Sequence, residues 1–210
     1  LEFRLDNSGS HHRFGLTAQP PSRLAATLDL RGDLRGRDPA KPAEWRGELY
    51  AGLDYADLGA WRQWVDYPLA VEGAGGLRVW FEFADGRATG ITTDFALSNA
   101  RARLAKELEP IPLVRASGRL RYHDEGGVTE ASGRQLSLES KDGLSLTPTD
   151  FFLSLRDKSG ATPARGEFVA NRLDLGVLSR LAERLPLDPA VRARLASLAP
   201  QGSVAPVNLK

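Results

Sequence analysis

The stretch LRVWFEFAD, Leu77 to Asp85, constrains the fold more than any other. Leu77, Val79, Phe81 and Phe83 alternate with Arg78, Trp80, Glu82 and Ala84. An extended chain puts the first set on one face and the second on the other, whereas a helix scatters both. The same period of two recurs along the chain. ITTDFALSN aligns Ile91, Thr93, Phe95 and Leu97, and ASGRLRYHD aligns Leu120 with Tyr122. GRQLSLES aligns Leu136 with Leu138, and DFFLSLRD aligns Phe151, Leu153 and Leu155. LAATLDLRG sets Leu24, Ala26, Leu28 and Leu30 together, and Leu1, Phe3 and Leu5 alternate at the start. Turn-forming clusters separate these runs: DNSGS, RGRDPAKP, GAGG, ADGRA, HDEGG, SKDG and DKSGATPARG. Asp85-Gly86 is a hairpin signal. Many short strands joined by local turns predict a mainly β fold built as an antiparallel meander.

Three segments leave this pattern. Asp57 to Val65 predicts a short helix near 57–65, with Asp57 as N-cap and Pro68 limiting it. NARARLAKELEP reads as a strand continuing into an irregular stretch, with a short helix as the alternative. Asp174 caps a clearer helix, with Leu175, Leu178, Leu181, Ala182 and Leu185 on one stripe. LPLD breaks it, Asp188-Pro189 starts a second helix striped by Val191, Leu195 and Leu198, and Pro200 ends that one. The expected organisation is a β segment over 1–172, a helical pair over 173–200 that covers the sheet end, and the start of a further strand over 201–210.

One phrase occurs twice. GELYAGLDYADLGAWRQW runs from Gly47 to Trp64, and GEFVANRLDLGVLSRL from Gly166 to Leu181. The gap between the shared blocks differs by two residues, the side-chain period of a strand, so the apolar face keeps its phase. Each copy reads as a strand followed by an Asp-capped helix. A paired acid/base site from Asp57 and Asp174 lacks a nucleophile or base nearby in sequence.

Composition narrows the function. The net charge is +1, which argues against nucleic acid as partner. The absence of cysteine excludes disulfides, thiolate catalysis and Cys-type zinc sites. No apolar run approaches the ~20 residues of a membrane span. His11 and His12 follow a turn and read as solvated; His123 sits in HDEGG, again a turn. No His-Glu-x-x-His, Gly-x-Ser-x-Gly or phosphate-binding loop is present. Asp54, Asp57, Asp94, Glu139 and Asp142 are the carboxylates from which a glycosidase pair would come, but a sheet's wet face carries such residues anyway. The expectation is no enzyme, no metal and no cofactor. Trp61 and Trp64 share a helix face and, with Trp80, offer a sugar-stacking platform as an alternative to packing.

Longer phrases carry a family resemblance. HHRFGLTAQPPSRLAATLDLRGDL, EWRGELYAGLDYADLGAWRQW, GAGGLRVWFEFADG, KDGLSLTPTDFFLSL, LDLGVLSRLAERLPLD and LASLAPQGSV follow one another as they do in YhdP-type proteins, of the AsmA-like group of Gram-negative envelope proteins. The chain resembles that family from about His11 to Val204. The resemblance implies a curved β-groove of the repeating lipid-transfer kind. It implies an internal, periplasmic segment of a long protein whose inner-membrane anchor lies outside this stretch. The implied partners are phospholipid or another acyl-chain lipid and the adjoining segments of the same chain. The implied task is moving phospholipid between the inner and outer membranes. Within the alternating strands, the candidate groove-lining residues are Leu77, Val79, Phe81, Phe83, Ile91, Phe95, Leu97, Leu120, Leu136, Leu138, Phe151 and Leu153. A carbohydrate- or protein-binding β module and a purely structural spacer are the competing readings.

Overall fold

The computed structural model describes residues 1–38, 40–61, 70–157, 164–185, 188–198 and 200–210. Strands dominate: β1 (Glu2–Ser8), β2 (His11–Ala18), β3 (Leu28–Arg35) and β4 (Arg46–Asp57) lead into a short helix α1 (Leu58–Trp61). Five strands follow: β5 (Ala70–Ala84), β6 (Arg87–Arg103), β7 (Ile111–Glu125), β8 (Val128–Ser140) and β9 (Ser145–Arg156). The chain then runs through β10 (Arg165–Ala170), β11 (Leu173–Asp174), α2 (Leu175–Ala182), α3 (Pro189–Leu198), β12 (Ser203–Val204) and β13 (Val207–Leu209). Eleven of these strands form one open antiparallel sheet in the order β1 to β10, then β13. The sheet is therefore a meander in which each strand pairs with its chain neighbour, until β13 returns to β10 after the helices.

Local chemistry explains the turns and kinks. Asp85 and Gly86 both take positive φ, 52° and 70°, the conformation a tight two-residue hairpin requires. Asn99 and Gln135 also take positive φ, and each sits where a register shifts within or beside the ladder. These bulges let strands as long as β6 bend without losing the phase of their apolar side chains.

The duplicated phrase behaves alike in its two places. In each copy an Asp Oδ1 accepts an amide at the first turn of a helix: Ala60 donates to Asp57 at 3.0 Å, and Val177 donates to Asp174 at 2.9 Å. The first copy carries a bulge between Leu53 and Ala56, so its greater length is not a plain strand extension. Of the helix expected near 57–65, α1 covers Leu58–Trp61; residues 62–69 lie outside the described ones.

Other expectations are corrected. Leu24 and Ala26 precede β3 rather than continuing it, because the segment from Pro21 turns back on itself: the Leu24 and Ala25 amides both donate to the Pro21 carbonyl. His11 and His12 open β2, where their rings reach Asp33 and Asn7. His123 lies inside β7, opposite Gly90 and Glu130, not in a turn.

The buried core is small and lies at one end of the strands. Ala100, Ala102, Ile111, Leu113, Ala116 and Leu144 pack beneath Val177 and Leu181 of α2. Ala100, Ala102 and Ala116 leave room for the helix, and Ile111, Leu113 and Leu144 supply the bulk that it packs on. Arg184, just past α2, fastens it to the β8–β9 turn through Asp142 at 2.5 Å, and Ser140 also donates to that carboxylate. No helix among the described residues is long and apolar enough to cross a membrane.

Candidate functional site

Strand register decides which side chains share a face. One row reads Phe3, Leu16, Leu30, Ala51, Val79, Thr93, Leu120, Gly133, Phe151, Ala170, Val207. The row beside it reads Leu5, Phe14, Gly32, Leu49, Phe81, Ile91, Tyr122, Ala131, Leu153, Phe168, Leu209. Both rows cross all eleven strands, and neither contains a charged side chain. Measured along the sheet, each spans about 48 Å at ~4.8 Å per strand.

All the candidate groove-lining positions fall on this one face. Val79, Phe81, Ile91, Leu120, Phe151 and Leu153 stand in the two rows; Leu77 and Phe83 flank them on β5. Leu136 lies over Gly133, where a Cβ would come within 2.3 Å of it. Phe95, Leu97 and Leu138 border the buried cluster under α2. The face is thus continuous: it is buried under α2 and at Ala170 and Val207, and half-buried to exposed elsewhere. Ile91, Leu120 and Tyr122 are 40%, 42% and 45% exposed, and Phe3 and Leu5 more so. Contiguous exposed apolar positions of this kind make the face a candidate surface for an apolar ligand or partner.

Glycines keep the band smooth. At Gly32 a Cβ would stand 2.2 Å from the Phe14 ring, so the ring lies across the glycine. At Gly47 it would meet the Asp33 carbonyl oxygen at 2.3 Å. Phe14, Leu16, Leu49 and Phe168 also stand in these rows, beyond the candidates that the alternating runs supply. Their signal was present as Phe14-Gly-Leu16 and as the shared Gly-Glu phrase, but Gly15, Tyr50 and Val169 blur the alternation.

The opposite face is polar and internally paired. Arg13 meets Asp6, Arg31 meets Asp29, Arg78 meets Asp54, Arg119 meets Asp94, and Arg115 meets Glu139. Hydrogen bonds from Arg119 hold the Asp94 carboxyl below the usual carboxylate range, against partial desolvation, with the charges of Arg119 and Arg78 adding to the effect. Asp94 likewise raises the Arg119 guanidinium. Trp80 stands on this face, whereas Trp61 donates its indole N–H to the Leu24 carbonyl at 3.1 Å. Trp64 lies outside the described residues. Among the described residues no group of three or more His, Asp or Glu side chains is placed to hold a metal ion.

A family model described as YhdP protein matches residues 1–210. No curated protein and no solved structure matches the chain.

Proposed function

Because the chain belongs to the YhdP family, we propose that its open apolar face is one stretch of a conduit for lipid acyl chains, carrying phospholipid between the inner and outer membranes. The observation that supports this most is the pair of uncharged rows that cross every strand of the sheet. A conduit needs no nucleophile, metal or cofactor. It needs a surface along which one position resembles the next, so that no site traps the cargo. Each methylene laid on such a face leaves water, for about 0.8 kcal/mol when fully buried. The headgroup stays outside the band, toward its polar margin near Asn7 and His12. This reading places the segment in the periplasm, in a protein anchored to the inner membrane elsewhere. β1 pairs only with β2 and β13 only with β10 among the described residues, so both outer edges suit adjoining segments of the same chain. A recognition module built on Trp61 is less well supported, since that indole is already engaged with the backbone.

The test is lipid extraction from the purified protein followed by mass spectrometry. Phospholipid should co-purify, and Phe81→Asp should remove it while far-UV circular dichroism is unchanged. Thr92→Asp, on the other face, should leave the lipid in place. Absence of lipid from the unmodified protein, or equal retention in Phe81→Asp, would overturn the proposal.

A further inference from the structure

The polar face holds a cleft of about 960 Å³ that a lipid conduit does not use. It runs from Arg13 on β2 to Arg119 on β7. Six strands span about 24 Å at ~4.8 Å each. Tyr50 and Trp80 are cross-strand partners at its centre, with ring centroids 5.2 Å apart and planes inclined by 49°. Each ring has an arginine beside it. Arg31 lies 5.7 Å from the Tyr50 centroid, and Arg119 lies 5.6 Å from the Trp80 centroid.

Each of these arginines in turn donates two hydrogen bonds to its own aspartate. Arg31 donates to Asp29 through Nε at 3.1 Å and Nη2 at 2.6 Å. Arg119 donates to Asp94 through Nε at 2.5 Å and Nη2 at 2.6 Å. The cleft therefore contains two Asp–Arg–aromatic units meeting ring to ring.

We propose that this cleft binds a neutral oligosaccharide laid across the strands and stacked on Tyr50 and Trp80. Aromatic rings match the C–H faces of a pyranose. Carboxylates and guanidinium edges fixed beside them match its hydroxyls, as acceptors and donors respectively. Charge selects against the alternatives. Arg13, Arg31, Arg78 and Arg119 face Asp29, Asp33, Asp54, Asp94 and Glu48, so the lining has no positive surplus for a polyanion and only one negative charge in excess, too little to select a polycation. Geometry selects against an extended peptide. The cleft crosses the middle of paired strands, where no backbone N–H or C=O is free for strand addition.

The proposal is independent of the lipid reading. It is tested by calorimetric titration of the protein with soluble neutral oligosaccharides of the gluco-, malto- and chito- series. At least one should bind. Asp94→Asn, which keeps the side chain's shape, and Trp80→Thr should each weaken that binding by about tenfold or more, the loss expected for one charged hydrogen bond or one stacked ring. Phe81→Ser on the apolar face should leave it unchanged. Failure of every oligosaccharide to bind overturns the proposal. So does binding that survives Asp94→Asn in a folded protein, or displacement of the sugar by an unstructured peptide.

Discussion

Trp80 and Phe81 are neighbours in the chain and face opposite sides of the sheet. That contrast was legible in the alternation of LRVWFEFAD, and it extends to every strand of the sheet. Less legible was how far each apolar residue would be covered. Leu113 and Leu120 stand on the same strand and the same face, yet Leu113 is 5% exposed under α2 and Leu120 is 42% exposed. Nothing in the local sequence separates them, because coverage comes from a helix some sixty residues downstream. The difference has a measurable consequence. Leu113→Ala should cost about 2–5 kcal/mol in chemical denaturation, through lost burial and an unfilled cavity. Leu120→Ala should cost under about 1 kcal/mol, since little surface is reburied. Equal costs would mean that the face is covered where it is described as open.

The helix α2 closes one end of the apolar face, and its attachments were partly written in the sequence. Asp174 was recognisable as an N-cap from its position before the Leu175–Leu185 stripe. The attachment at its far end was not, because Asp142 and Arg184 are 42 residues apart and meet only in the folded chain. The bulges at Asn99 and Gln135 are hard to read locally: glutamine carries no preference for positive φ, and asparagine, though enriched there, sits far more often elsewhere. The Ser140 hydroxyl, and then Arg184, hold the Asp142 carboxyl below its ordinary range. A carboxylate whose pKa is lower in the folded state contributes stability above its unfolded value and loses it as pH falls through the folded one. The hold on α2 should therefore persist through neutral pH and weaken only below the ordinary carboxylate range. Amide exchange across Leu175–Ala182 should accelerate there, and Asp142→Asn should abolish that acid step. An unchanged acid step in the variant would assign it to another group.

An eleven-stranded meander in sequence order is what alternating runs and local turns produce, since each strand finds its partner in the next. The return of β13 to β10, across two helices, could not be read from residues 201–210 alone. The result is a sheet with one apolar and one charged surface, each continuous over many strands, and so with two chemically separate faces available for use. If the apolar surface carries lipid, contact must follow the period of the strand. Photo-crosslinking residues placed singly at Val79, Trp80, Phe81, Ile91 and Thr92 of the protein test this in living cells. Crosslinks to phospholipid at Val79, Phe81 and Ile91, with none at Trp80 and Thr92, are the predicted result. Lipid crosslinks at all five positions, or at none, would contradict it.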